Sequence, residues 1–242
     1  MQQVALILGV GVPDGVGGAL ARRFAAGGMH VVLGGRTPER VGETAQQVID
    51  AGGSAEAVSV DVTSPEELDA AFAAAKATGL ALGAVIYNAG SNMPIAFEHL
   101  SADEFVDFWN VGCLGGFLTA QRAMPLLREQ GHGSMLFTGA SASLRGKPNF
   151  AHFAVAKAGL RNLAQALARE YGPRGVHVGH VIIDGIVNGE RVKSRFEGFV
   201  EQLGEDGSLD TAAVAEAFWT LHDQPRSAWT FELDLRPFKE DW

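Results

Sequence analysis

The run Gly9-Val10-Gly11-Val12-Pro13-Asp14-Gly15-Val16-Gly17-Gly18 lies between an apolar stretch and a helical one, and it is the segment best suited to binding a phosphate. Glycines let a backbone approach a pyrophosphate closely, and the first turn of a helix presents unsatisfied N–H groups to it. The next apolar stretch ends in Leu33-Gly34-Gly35-Arg36. An acid there would grip a ribose 2′-hydroxyl, whereas a guanidinium suits a 2′-phosphate. Arg36 therefore points to the phosphorylated dinucleotide, with Arg40 as a second contact. Asp184, in Ile183-Asp184-Gly185, is a carboxylate whose pKa burial would raise, suiting it to donate a proton; it reads equally well as a turn residue before Gly185. His152 adjoins Phe153, and consecutive helical residues face about 100° apart, so it reads as a surface or interface histidine. His180 reads as a core or edge residue of a strand. Cys113, the only cysteine, excludes an internal disulfide and a cysteine metal cluster and reads as a small buried hydrophobe.

Short apolar runs alternate with longer helical stretches, the pattern of a parallel sheet with crossover helices. Strands are expected at Val4–Leu8, His30–Leu33, Glu56–Val60, Ala84–Tyr87, Ser134–Thr138, His177–Ile183 and Trp229–Leu235. Helices are expected over Val16–Ala26, Glu39–Ala51, Pro65–Ala77, Ala102–Leu127, Phe150–Tyr171 and Thr211–His222. Ser64-Pro65-Glu66-Glu67 supplies a cap, a proline at the first helical position and acids at the positive end of the dipole. Ser101 with Glu104 reads as a capping box. Gly189–Gly207 is the least regular region and falls beyond the carboxyl end of the sixth strand, the edge where open α/β sheets bind ligands. The expected fold is α/β: a Rossmann-type three-layer αβα sandwich around a mostly parallel seven-stranded sheet, with residues 1–242 as one domain.

Four further motifs follow the glycine turn in order: Val60-Asp61-Val62-Thr63, Asn88-Ala89-Gly90, Trp109-Asn110-Val111 and Phe153-Ala154-Val155-Ala156-Lys157. Together with that turn they resemble the short-chain dehydrogenase/reductase family, over nearly the whole chain. The resemblance implies that Gly11, Gly15 and Gly17 form the family's cofactor turn, with Val16 inside it; aligned from the strand instead, Gly9 is its first glycine. It implies that Asp61 and Val62 border the adenine, and that Asn88, Ala89 and Gly90 close the fourth strand against the cofactor. Asn110 would anchor a water of the proton relay. Lys157 would hold the nicotinamide ribose, and Asp184 and Gly185 stand where the family has Pro-Gly beside the nicotinamide. Family members that use NAD usually carry Asp where Gly35 stands, and many NADP users carry arginine next, as here. Asp14 weighs the other way, since some NADP users place a basic residue there.

The family's catalysis uses a tyrosine four residues before the lysine, so that both share a helical face, and a serine thirteen residues before the tyrosine. This sequence has Phe153 and Ala140 at those positions. The two tyrosines, Tyr87 and Tyr171, lie far from the start of this helix, and the longer spacing of some enoyl reductases lands on Phe150. Ser141 and Ser143 are near Ala140, but on a chain leaving a strand they need not face a substrate. Lys157, Asn110, Phe153, Ala140 and Asp184 thus form a degenerate catalytic set, in which Asp184 is a substitute acid.

A net charge of −9 argues against nucleic acid or an anionic membrane as partner. The N-terminus has no basic start followed by a long apolar run, and no apolar stretch reaches the roughly 20 residues of a membrane span, so a cytoplasmic protein without a resident metal is expected. The resemblance implies a homodimer or homotetramer acting on a small molecule; the tail Phe238–Trp242 either covers a neighbouring subunit or frays. The expected activity is that of an atypical NADP(H)-dependent oxidoreductase, NAD being less suited, on a small carbonyl, alcohol or conjugated alkene. A lyase, isomerase or cyclase reusing the cleft, or a catalytically silent nucleotide-binding protein, are the rival readings.

Overall fold

The computed structural model describes residues 2–194 and 198–240. Seven strands form one sheet: β1 (Gln3–Leu8), β2 (His30–Gly35), β3 (Ser54–Ser59), β4 (Ala81–Tyr87), β5 (Ser134–Thr138), β6 (His177–Ile183) and β7 (Glu232–Leu235). Their order is β3-β2-β1-β4-β5-β6-β7, and every pairing is parallel rather than most of them. The central strands are apolar along their whole length because helices cover both faces, which removes the alternation of a half-exposed sheet.

One face is covered by α1 (Val16–Ala26), α2 (Pro38–Asp50) and α9 (Thr211–His222), through Leu20, Phe24, Val41, Val214 and Phe218. The other is covered by α3 (Pro65–Ala77), α5 (Gly115–Gln130) and α6 (Ala151–Tyr171), through Leu68, Phe72, Met124 and Leu160. The expected caps are present. Ser64 accepts from the Glu67 amide, and Ser101 and Glu104 form the capping box of α4 (Ala102–Trp109). The region read as irregular holds two short helices, α7 (Glu190–Lys193) and α8 (Phe199–Leu203), and also residues 195–197, which lie outside the described ones.

Two departures from the sequence reading have physical causes. The last strand starts at Glu232, three residues later than expected, because Gln224 captures the preceding backbone: its Oε1 accepts from the Thr230 amide, and its carbonyl accepts from Trp229 Nε1. Trp229 stacks instead on His177, with ring centroids 4.8 Å apart. The second departure is that Ala102–Leu127 is not one regular helix. A π turn, Asn110–Leu114, separates α4 from α5. Small residues there let the segment press against its neighbours; the Tyr87 hydroxyl reaches in and donates to the Val111 carbonyl at 2.5 Å. Single π turns of this kind are frequent at functional sites. In the tail, Phe238 is exposed, and Asp241 and Trp242 lie outside the described residues.

Tyr87 is fully buried, so removing its hydroxyl orphans the Val111 carbonyl without opening a large cavity. Tyr87→Phe should therefore lower stability by about 1–3 kcal/mol in urea unfolding. A loss under about 0.5 kcal/mol would mean that the π turn does not depend on this bond.

Candidate active site

Three strand ends meet at Asn88. Its backbone amide donates to the Leu8 carbonyl at 2.8 Å, its Nδ2 donates to the Gly9 carbonyl at 3.0 Å, and its Oδ1 accepts from the Thr138 hydroxyl at 3.0 Å. The side chain thus ties the ends of β1, β4 and β5 together. Gly9 has φ +90°, and a Cβ there would lie 2.3 Å from the Ala89 nitrogen, so no other residue fits against the Asn88-Ala89 backbone. Gly11, by contrast, is exposed and a Cβ on it would meet nothing within 4 Å. The fold therefore requires a glycine at Gly9, and at Gly17 and Gly18, where a Cβ would lie 2.9 Å from the Gly9 and 1.9 Å from the Pro13 carbonyl oxygen, but not at Gly11. Gly15 caps α1, and Val16, Gly17 and Gly18 follow as the helical residues whose N–H groups lack an intrahelical acceptor. Asp14 is exposed at the lip of this turn.

The end of β2 is equally constrained. A Cβ on Gly35 would lie 2.0 Å from the Val10 carbonyl oxygen, so no acid, and no side chain at all, can stand there. Arg36 and Arg40 are exposed beyond it. Asp61 follows β3 and accepts at Oδ1 from the Thr63 amide and hydroxyl at 2.9 and 2.7 Å. Partial burial pushes its carboxyl up, but these two bonds and the charge of Arg36 outweigh that and hold it below the usual carboxylate range. Val62 is buried beside it.

Lys157, on α6, is 4% exposed and donates to the Thr138 carbonyl at 2.7 Å. Burial lowers its pKa to about 8, against an opposing pull from Cys113, which is itself buried as expected. Gly90 adjoins it: a Cβ there would lie 3.2 Å from Nζ. An ammonium has three hydrogens to donate, and the Thr138 bond uses one. Phe153, one turn earlier, places its ring centroid 6.0 Å from Nζ. Ala140 is half-buried just past β5, and Asn110 is half-buried in the π turn. Lys157, Gly90, Thr138 and Asn88 are therefore one cluster, with Phe153 on its border.

Other candidates lie elsewhere in the scheme. The Tyr87 phenol is pushed well above its usual range by burial and is committed to Val111, so it offers no proton. His152 corrects the sequence reading: it is fully buried, its ring 4.2 Å from that of Phe108, because α4 packs across this side of α6. Burial lowers its pKa against the pull of the Met93 backbone and Glu104. Asp184 is buried between Arg145, at 3.2 Å, and Arg236, at 3.8 Å, and is followed by Gly185 at φ +148°. It is the junction of two ion pairs rather than an isolated acid in an apolar pocket, the environment that proton donation calls for. His180 is a core residue, as expected.

Two contributors escape the motif reading. Thr138 receives Lys157 through its carbonyl and holds Asn88 through its hydroxyl; its place at the end of the strand beside β4 was the available signal. Glu232 bonds His180 and Arg161, and only the pairing of β6 with β7 reveals that His180 and Glu232 stand opposite one another. Among the described residues, no group of His, Cys, Asp and Glu is arranged to hold a metal, and no helix is long and apolar enough to cross a membrane.

The folded state lowers the Lys157 pKa from 10.5 to about 8, so it disfavours the charged form. Below pH 8 that burial costs stability. Between pH 8 and 10.5 the unfolded chain binds the proton and the folded one does not, so the penalty fades as pH rises. Lys157→Met should thus be more stable than wild type at pH 7 by roughly 1–3 kcal/mol, with the gap closing toward about pH 10. Urea unfolding across this range measures it; a gap that stays constant or widens contradicts the assignment.

A family model described as short chain dehydrogenase matches residues 3–198. The chain is 33% identical over 224 residues to 3beta-hydroxysteroid dehydrogenase 1 of Eggerthella lenta, an alignment covering 88% of this chain and 85% of that protein. It is 34% identical over 194 residues to the uncharacterized oxidoreductase YuxG of Bacillus subtilis, covering 79% of this chain but only 28% of that longer protein. Among solved structures, a short-chain dehydrogenase from Rhodopseudomonas palustris superimposes with a TM-score of 0.83 at 35% identity, covering 98% of this chain and 99% of the other. With the all-parallel sheet and the cluster at its carboxyl edge, these likenesses establish that the chain belongs to the short-chain dehydrogenase family.

Proposed function

We propose that the chain is an atypical NADP(H)-dependent oxidoreductase acting on a small alcohol, carbonyl or conjugated alkene, with Phe153 and Ala140 in place of the family's tyrosine and serine. The observation that carries this reading is Lys157. A lysine that only tuned a tyrosine would have no task beside Phe153, yet its ammonium is buried against Thr138 with hydrogens to spare. Ribose hydroxyls are the acceptors that such a group suits.

The remaining residues fit a dinucleotide as well. Gly9 lets β1 end flush against Asn88-Ala89, the amides of Val16 and Gly17 open α1, and Gly90 leaves space next to Lys157. When bound, a nicotinamide supplies or accepts a hydride. The chain's own part is to hold it: Lys157 at the ribose, Asn88 and Thr138 behind Lys157, Asp61 and Val62 at the adenine end, and Asn110 at the π turn. Phe153 walls the cleft without a proton to transfer. The kinship with a hydroxysteroid dehydrogenase supports a secondary alcohol or its ketone as the reacting group. Exposed Val106, Phe117 and Val155 on α4, α5 and α6 support assembly of identical chains through these helices.

The closed position at Gly35 and the exposed guanidinium of Arg36 support the 2′-phosphate. NADPH should bind more tightly than NADH by roughly 10–100-fold in calorimetric titration, the worth of one charge-assisted contact. Arg36→Ala should erase most of that difference. Equal affinities in wild type contradict the NADP assignment, and failure to bind either dinucleotide contradicts the oxidoreductase reading.

A further inference from the structure

Behind the turn that follows β5, four side chains form a line, buried at Ser143 and His180 and partly exposed at Glu232 and Arg161, that the cofactor cradle does not use. Ser143 is buried; its Oγ accepts from the Ala140 amide at 3.2 Å and lies 3.5 Å from His180 Nε2. His180, on β6, is fully buried and bonds Glu232 Oε2 through Nδ1 at 3.0 Å. Glu232, its register partner on β7, takes two bonds from Arg161 at 2.6 and 2.8 Å. Burial lowers the His180 pKa to about 4 and outweighs the pull of Glu232 from β7, with Lys157 and Arg161 from α6 adding to the lowering, so the imidazole rests neutral and can accept a proton only transiently.

Hydrogen-bond valence decides what this line can do. The Arg161 bonds hold Glu232 below the usual carboxylate range, so it is an acceptor and His180 Nδ1 carries the imidazole hydrogen. Nε2 is then an acceptor too. The Ser143 hydroxyl has one hydrogen and two lone pairs. Its hydrogen goes to Nε2, one lone pair takes the Ala140 amide, and the second lone pair is left for a donor. A substrate hydroxyl is such a donor. The place is also right, since Oγ sits beside the backbone of residue 140, from which the family's missing serine would project. The line is set to take a proton rather than give one.

We propose that Ser143, His180 and Glu232 form a proton-accepting relay for the oxidation of a substrate alcohol, an inference that rests on the oxidoreductase reading above. The substrate O–H proton passes to Ser143 Oγ while the Ser143 proton passes to His180 Nε2. The carbinol C–H bond breaks, its electron pair leaving as hydride to the oxidised nicotinamide, and the C=O double bond forms. Glu232 offsets part of the cost of burying the imidazolium, which returns its proton by way of Ser143 after the product departs. Ser143 touches the substrate; His180 and Glu232 act through it. The 3.5 Å contact is long, as catalytic hydrogen bonds often are before substrate tightens them.

The test is NADP⁺ reduction by the purified protein with cyclohexanol, 1-phenylethanol and a 3β-hydroxysteroid, for wild type, Ser143→Ala, Ser143→Thr and His180→Gln. Thermal midpoints and NADP⁺ affinities are measured alongside. Ser143→Ala and His180→Gln should each lose about 10²–10⁴ in kcat while binding NADP⁺ as wild type does. Ser143→Thr, which keeps the hydroxyl, should stay within about tenfold of wild type. The wild-type rate should be flat from mildly acidic to neutral pH, above the titration of His180 and below that of Lys157, whereas the residual rate of His180→Gln should climb with pH over that range as hydroxide takes over as base. Should His180→Gln fail to fold, the two Ser143 variants decide the matter, because they change one small side chain. Alcohol oxidation that survives Ser143→Ala overturns the relay alone, as does a wild type that reduces ketones but oxidises no alcohol. A wild type that binds NADP⁺ and turns over nothing in either direction overturns the relay and the oxidoreductase reading together.

Discussion

The carboxamide of Asn88 holds the working edge of the sheet. Its Nδ2 donates to the Gly9 carbonyl just past β1 and its Oδ1 accepts from the Thr138 hydroxyl on β5, while the Asn88 backbone amide at the end of β4 holds the Leu8 carbonyl, and each contact fixes a different part of the site. Through Gly9 it sets where the glycine turn leaves the sheet, and so where α1 points its first amides. Through Thr138 it sets the carbonyl on which Lys157 rests. A buried ammonium is costly, and the fold keeps this one against the Thr138 carbonyl where β5, Gly90 and α6 converge. That juxtaposition makes sense if a ligand completes the shell.

Loss of the phenol changes what that lysine is for. The family resemblance implies two ends for it, tuning a tyrosine and holding a ribose, and under the proposed function only the second is left beside Phe153. On the proposed function the chain would separate two jobs: holding the dinucleotide and moving a proton. Holding is the part proposed for the Asn88–Thr138–Lys157 cluster. The proposed relay lies in a different part of the sheet, one strand further along, where β6 and β7 bring His180 and Glu232 into register behind the turn carrying Ser143.

Much of this was legible in the sequence because it rested on local rules. The alternation of apolar runs and helices, the capped starts of α3 and α4, the glycine turn and the unbroken register from Ala140 to Lys157 all follow from periodicity or fixed spacing. What was not legible depends on contacts between distant segments. The π turn at Asn110 depends on the Tyr87 hydroxyl reaching Val111, and the short last strand on Gln224 capturing the backbone of Thr230. Burial of His152 requires α4 to cross α6, which no helical wheel of α6 alone could reveal. The choice between Gly9 and Gly11 turned on which of them meets the Ala89 backbone, and the exclusion of an acid at Gly35 on the approach of the Val10 carbonyl.

The claim on which the rest hangs is that the cluster beneath Gly90 is a dinucleotide site built around Lys157. A crystal structure of the chain grown with NADP⁺ addresses it directly. The account predicts the nicotinamide ribose hydroxyls within hydrogen-bond distance of Lys157 Nζ, the pyrophosphate over the amides of Val16 and Gly17, and the 2′-phosphate on Arg36. A dinucleotide bound elsewhere, or bound with Lys157 making no contact to it, would contradict the account.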